Sequence, residues 1–148
     1  MHKRFPFIVG VMLLVFYLAV PVLASSIESA VSADDAQKML IEGNKRFVSD
    51  KNVAPDITLP RRTELAKGQH PFAVIVSCSD SRVPPEHVFN QGLGNLFVVR
   101  VAGNVLDAIE LGSVEYAVED LGAKLIVVMG HEKCGAVKAA VDGSEVPP

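Results

Sequence analysis

FAVIVS, residues 72–77, is an unbroken apolar stretch rich in β-branched side chains, and it runs directly into the polar sequence CSDSRVPPE, residues 78–86. A run of this kind, without alternation, fits a strand buried on both faces of a parallel sheet. Two more such runs follow, LFVVR at 96–100 and LIVVM at 125–129. Parallel neighbours must be joined by crossovers, so three runs imply α/β layering. Leu106 to Leu121 supplies one crossover as a helix. Ala108, Leu111, Val114, Ala117, Val118 and Leu121 fall along one face of it, Glu115, Glu119 and Asp120 lie largely elsewhere, and Gly122 closes it.

Upstream, Ser32 to Asp50 begins with Ser32 as its expected cap and places Ala36, Met39, Leu40, Gly43 and Phe47 near helical spacing, which predicts an N-terminal helical arm. Lys51 to Pro60 is a polar, proline-containing connection, and Leu59 to Lys67 reads as a short helix that Gly68 stops. A last short helix starts near Cys134. The expected fold class is α/β, a parallel β-sheet core flanked by helices with an N-terminal helical arm. Three strands and one closing helix make a thin structure, so the C-terminal part of a larger domain is expected to be missing after Pro148.

The 148 residues carry 14 Lys plus Arg against 17 Asp plus Glu, a net charge of −3, which gives no support to nucleic acid as a partner. Charged residues make up 21% and apolar ones 49%, a globular balance, although part of the apolar excess is gathered at the N-terminus. There, Lys3 and Arg4 precede an uncharged stretch from Phe5 to Leu23 and then the small residues Ala24, Ser25 and Ser26. The pattern is that of a secretory signal peptide, residues 1–24, cut after Ala24 to leave one domain at 25–148. Export, to the periplasm, is the expected destination. The alternative is an uncleaved N-terminal helix anchoring the chain in the membrane, since the run approaches the roughly 20 residues of a spanning helix.

The chemistry is expected after the strands, because ligands of open α/β sheets collect beyond the strands' carboxyl ends. Both cysteines of the chain lie there. Cys78-Ser79-Asp80-Ser81-Arg82 follows the first run, and Gly130-His131-Glu132-Lys133-Cys134-Gly135 follows the third. Adjacent parallel strands would bring the two clusters together. Cys78, His131 and Cys134 would then offer two thiolates and one imidazole, a set suited to tetrahedral Zn²⁺ with a fourth position left for water. An open fourth position points to catalysis.

Other readings of the same residues stay open. Two cysteines in an exported protein commonly form a disulfide, although a structural disulfide needs neither His131 three residues before Cys134 nor an Asp-x-Arg pair after Cys78. Asp80 and Arg82 could be a turn-stabilising ion pair. His70 and His87 lack a comparable constellation and are assigned no role. Gly92-x-Gly94 precedes a strand instead of linking strand to helix, and Gly130 to Gly135 lacks the Gly-Lys-Ser/Thr ending of a phosphate loop, so no nucleotide is expected.

At these clusters the sequence resembles the β-class carbonic anhydrases, through CSDSRVPPE (78–86), FVVRVAGN (97–104), GSVEYAVEDLGAKLIVVMGHEKCGAV (112–137) and, more weakly, EGNKRF (42–47). The resemblance implies zinc-dependent reversible hydration of CO₂ to bicarbonate and a proton, with zinc on Cys78, His131 and Cys134. It further implies that Asp80 orients the zinc-bound hydroxide while Arg82 clamps the carboxylate, and that Asp80 can become a fourth zinc ligand in a closed state. A homodimer or higher homo-oligomer is implied as well, with the arm helix lying across the partner. Arg100 matches an arginine of the family's non-catalytic bicarbonate pocket, but the tryptophan position of that pocket is Ile75 here, and Val101 replaces a common asparagine. Family members continue with a further strand and helices that support the dimer. The alternatives are a non-catalytic zinc-binding remnant, an exported thiol or disulfide protein, or a hydrolase acting on COS or CS₂.

Overall fold

β1, Ala73–Ser77, has all five residues buried and sits in the middle of a three-stranded sheet of order β2-β1-β3. In the computed structural model, which describes residues 31–143 and 145, β2 is Leu96–Arg100 and β3 is Ile126–Met129. Both flank β1 in parallel, with Ala73 opposite Leu96, Ser77 opposite Arg100, Val74 opposite Ile126 and Ser77 opposite Met129. The three strands therefore end at one level. The predicted leader, residues 1–24, lies outside the described residues, and so does the uncleaved anchor that was its alternative. Among the described residues, no helix is long and apolar enough to cross a membrane.

Helices cover the two faces of β1. On one face, Ala36 and Leu40 of α1, Ala33–Val48, pack with Phe72, Ala73 and Ile75, and Leu125, Val127 and Met129 extend this layer. On the other, Val114 and Ala117 of α4, Ala108–Glu119, pack with Val74, Val76 and Val99 together with Leu121 and Ala123. Full burial of an aliphatic side chain stabilises by about 1.5–3 kcal/mol, so Val74, Ile75 and Val76 anchor the molecule. In chain order α2, Leu59–Leu65, precedes β1 and α3, Pro85–Val88, follows it; α5, Gly135–Asp142, follows β3.

The helix ends follow from their local chemistry. Ser32 caps α1, its hydroxyl accepting from the Asp35 amide at 3.2 Å. Asp107 and Glu110 form a reciprocal capping box at the start of α4, while Thr58 caps α2. Gly43 lets α1 approach the segment after α3, because a Cβ there would strike the Phe89 carbonyl. Asn44 Nδ2 donates to Val88 O at 3.1 Å and Arg46 Nε to Asn90 Oδ1 at 2.8 Å, which tie the same two segments.

Burial departs from expectation at three places. β3 is not covered on both faces: Ile126 is 48% and Val128 64% exposed, because α4 packs chiefly on β1 and β2 and β3 lies beyond it. For the same reason the apolar face of α4 is only partly buried, and Leu111 and Val118 remain exposed beside the buried Val114 and Ala117. In α1, Met39 and Phe47 are exposed while Ala36, Leu40 and Gly43 carry the contact.

Candidate metal centre

Strand register builds the site. Ser77 and Met129 are paired, so the chains leaving β1 and β3 emerge side by side and carry Cys78 and His131 to one place. Cys134 follows as the residue immediately before α5. One ligand atom from each of Cys78, His131 and Cys134 lies within 4.8 Å of the others, and the two sulfurs are 3.8 Å apart. Both cysteines are free.

The electrostatics favour the ligating form of Cys78. The backbone amide of Gly103 points at Cys78 Sγ from 3.3 Å and, with the His131 ring and the Asp80 amide, brings the Cys78 thiol down to about 6. The thiolate is the metal-binding form. Gly103 can aim its amide this way because the chain turns there with φ +72°, a left-handed conformation suited to glycine, inside the 3₁₀ turn Ala102–Asn104.

His131 is prepared by its second nitrogen. Its Nδ1 lies 2.9 Å from the Glu132 carbonyl, which can only accept, so Nδ1 carries a proton and donates it. Nε2 is then the nitrogen that faces the centre. It is buried and has no hydrogen-bond partner of ordinary geometry, although the neighbouring Cys78 sulfur raises the His131 pKa above its usual value. A buried imidazole nitrogen free of ordinary hydrogen bonding, set beside two thiols, is a donor arrangement that suits a metal ion. The donor set fits zinc.

Asp80 stands at the rim of this cluster. Its carboxylate accepts from the Arg82 amide at 2.9 Å, from Arg82 Nε at 2.9 Å and from Nη2 at 2.7 Å. These bonds hold the Asp80 carboxyl well below the usual carboxylate range. Oδ2 also comes within 3.9 Å of His131 Nε2. Arg82 Nη2 reaches the Lys133 carbonyl at 3.3 Å, linking the two loops, and Lys133 presents that carbonyl from a left-handed conformation, φ +55°.

All five residues singled out in the sequence, Cys78, Asp80, Arg82, His131 and Cys134, thus meet at one end of the sheet. His70 and His87 are exposed and outside the cluster. Ile75 is fully buried in the core. Arg100, matched in the sequence to an anion pocket, donates from Nε to the Cys78 carbonyl at 3.0 Å and from Nη2 to the Asp80 carbonyl at 2.6 Å. Sequence reasoning did not anticipate the Gly103 amide or the Lys133 carbonyl. The glycine after the second apolar run was the one available signal for the former.

Comparison with known proteins agrees with this geometry. The sequence model of the family described as carbonic anhydrase matches residues 73–147. Carbonic anhydrase 2 of Mycobacterium tuberculosis is 55% identical over 106 residues, covering 72% of this chain and 51% of that protein. The carbonic anhydrase of Mycolicibacterium smegmatis is 52% identical over 115 residues, covering 76% and 56%. The chain therefore spans about half the length of the curated relatives it matches. Among solved structures, the β-carbonic anhydrase CcaA aligns with a TM-score of 0.55 at 34% identity, over 72% of this chain and 53% of that one. A chain from the crystal structures of two tetrameric β-carbonic anhydrases from Sordaria macrospora aligns at 0.58 and 29% identity, over 73% and 55%. By its sheet, its cysteine and histidine cluster and these likenesses, the chain belongs to the β-class carbonic anhydrases.

Proposed function

We propose that this chain catalyses the reversible hydration of CO₂ to bicarbonate and a proton, with Cys78, His131 and Cys134 holding a zinc ion. The observation that carries the reading is the convergence of three ligand atoms within 4.8 Å beside a carboxylate already gripped by arginine. Zinc bound there would supply a Lewis acid that makes a water molecule nucleophilic near neutral pH. Three protein donors would leave such an ion open to solvent.

The chain's own residues would direct the attack. Asp80 stays ionised because Arg82 neutralises it through two parallel bonds, and a carboxylate is acceptor-only. It can accept one further hydrogen bond from an attacking water and so turn that oxygen's lone pair toward CO₂. Arg82 also keeps the carboxylate from swinging into the ligand cluster, and through the Lys133 carbonyl it holds the second loop in step with the first.

The site of action we propose is the periplasm, reached through the N-terminal leader. The working form is a homodimer or higher homo-oligomer, a reading supported by the tetrameric description of the Sordaria enzymes. A second reading, a thiol protein that closes a Cys78–Cys134 disulfide, is favoured by the 3.8 Å sulfur separation alone.

Zinc content and stopped-flow CO₂ hydration, measured on one preparation with Cys134→Ser as control, decide between them. One zinc per chain with turnover lost in the control is expected. Zinc without turnover on CO₂ would leave a non-catalytic remnant or a COS or CS₂ hydrolase, and a folded, zinc-free protein without free thiols would replace the lyase with the disulfide.

A further inference from the structure

The loop after β1 has a demanding task. Within three residues it must turn the Cys78 sulfur inward and, from Asp80, bring a carboxylate to the same centre. The two backbone carbonyls that bracket this turn, those of Cys78 and Asp80, both receive hydrogen bonds from one side chain, Arg100, at 3.0 Å from Nε and 2.6 Å from Nη2. A guanidinium is a rigid planar fork, so engaging two acceptors separated by Ser79 fixes the spacing and direction of both.

Arg100 is placed for this by the sheet itself. It is the last residue of β2, directly opposite Ser77, the last of β1. Main-chain bonds hold the two strands together beyond that pair: Val101 N–H donates to Ser77 O at 3.1 Å, and Ser79 N–H donates to Val101 O at 3.3 Å. The guanidinium therefore reaches the loop from a fixed base. Its partners are distinct from those of Arg82, which grips the Asp80 carboxylate.

We infer that Arg100 is a positioning residue for the metal centre, holding the Cys78 to Asp80 loop in the shape that presents sulfur and carboxylate together. The inference rests on the proposed zinc reading of Cys78, His131 and Cys134. Arg100 acts through the backbone and touches neither a ligand atom nor the Asp80 carboxylate.

Cobalt(II) binding to the full chain tests it, because cobalt reports affinity and geometry through thiolate charge-transfer and visible ligand-field bands without need of turnover. The unaltered chain is expected to give the intense visible bands of a tetrahedral site. Arg100→Met should keep the charge-transfer band but change the visible bands, and should lose about tenfold to a hundredfold in affinity against a chromophoric chelator, the range for partners that orient ligands. Arg100→Lys, with a single ammonium able to serve one carbonyl well, should recover part of that loss. Arg61→Met is the control: it removes a guanidinium that donates to the Leu93 carbonyl away from the centre, and should leave cobalt binding unchanged.

Cobalt affinity and spectrum unchanged in both Arg100 variants would overturn the inference. So would loss of far-UV circular dichroism in both, since Arg100 would then support the fold and not the loop. Failure of the unaltered chain to take up cobalt would instead overturn the metal-centre reading itself.

Discussion

Cys134 contributes a sulfur 3.8 Å from that of Cys78 while packing little of the core, so its replacement disturbs the apolar packing little. Cys134→Ser exchanges a thiolate for a neutral hydroxyl of similar size, and zinc affinity is expected to fall more than the roughly hundredfold seen when only orienting partners are lost. Chelator competition measures this, and an affinity near that of the unaltered chain would exclude Cys134 as a ligand. Asp80→Asn keeps shape but removes the charge that Arg82 grips. It should leave zinc content unchanged and lower kcat for CO₂ hydration by about a hundredfold, the scale of a misplaced reacting group. Lys133 holds a left-handed conformation that costs an ordinary residue roughly 1–2 kcal/mol. Lys133→Gly removes that cost but adds freedom to the unfolded chain, so a net gain of about 0.5 kcal/mol is expected in urea unfolding, and a loss would show that the lysine side chain contributes. At this scale the five polar residues of the centre were legible, because reactive types stood directly after buried strands. Gly103, Lys133 and Arg100 were not, because their part is played by or upon backbone groups that every residue shares.

At the scale of elements, α1 touches the segment after α3 so closely that Gly43 leaves no room for a side chain. Gly43→Ala gains helix propensity worth about 1 kcal/mol but must push the helix off the Phe89 carbonyl. The clash involves rigid backbone, so net destabilisation of about 1–3 kcal/mol is expected in urea unfolding. A stabilised variant would mean that the arm is not seated as described. Here the legibility of the sequence divides by period. The three apolar runs became β1, β2 and β3 because β-branched continuity leaves little alternative to a strand, and α4 followed from its helical spacing. Coverage did not follow. A run such as IVVM in β3 states what a strand can bury, whereas Ile126 and Val128 remain exposed because α4 lies over its neighbours. Similarly, the apolar positions of α4 mark a face, but only the width of the sheet beneath decides which of them are covered.

For the whole molecule, the candidate ligands come from parts that the apolar core joins only weakly. Cys78 leaves the fully buried β1, whereas Cys134 opens α5, whose residues are exposed or half-buried and which packs mainly on the 3₁₀ turn Ala102–Asn104. A metal ion on Cys78, His131 and Cys134 would therefore tether α5 and the end of β3 to the central strand. Such a ligand binds the folded chain in preference to the unfolded one, so at a free concentration a hundredfold above its dissociation constant it adds about 2.7 kcal/mol. For a domain of this size that corresponds to a rise in Tm of about 10 °C, to be reversed by chelation. The gain should be local as well as global. Amides of α5 are expected to exchange much faster in the metal-free chain, while those of β1, deep in the core, change only with overall stability. Calorimetry with and without zinc, paired with hydrogen exchange, checks both parts. Equal Tm values under the two conditions would mean that these residues hold no metal, whereas a higher Tm with uniform protection would mean that α5 is already held by its packing and that the metal stabilises the sheet alone.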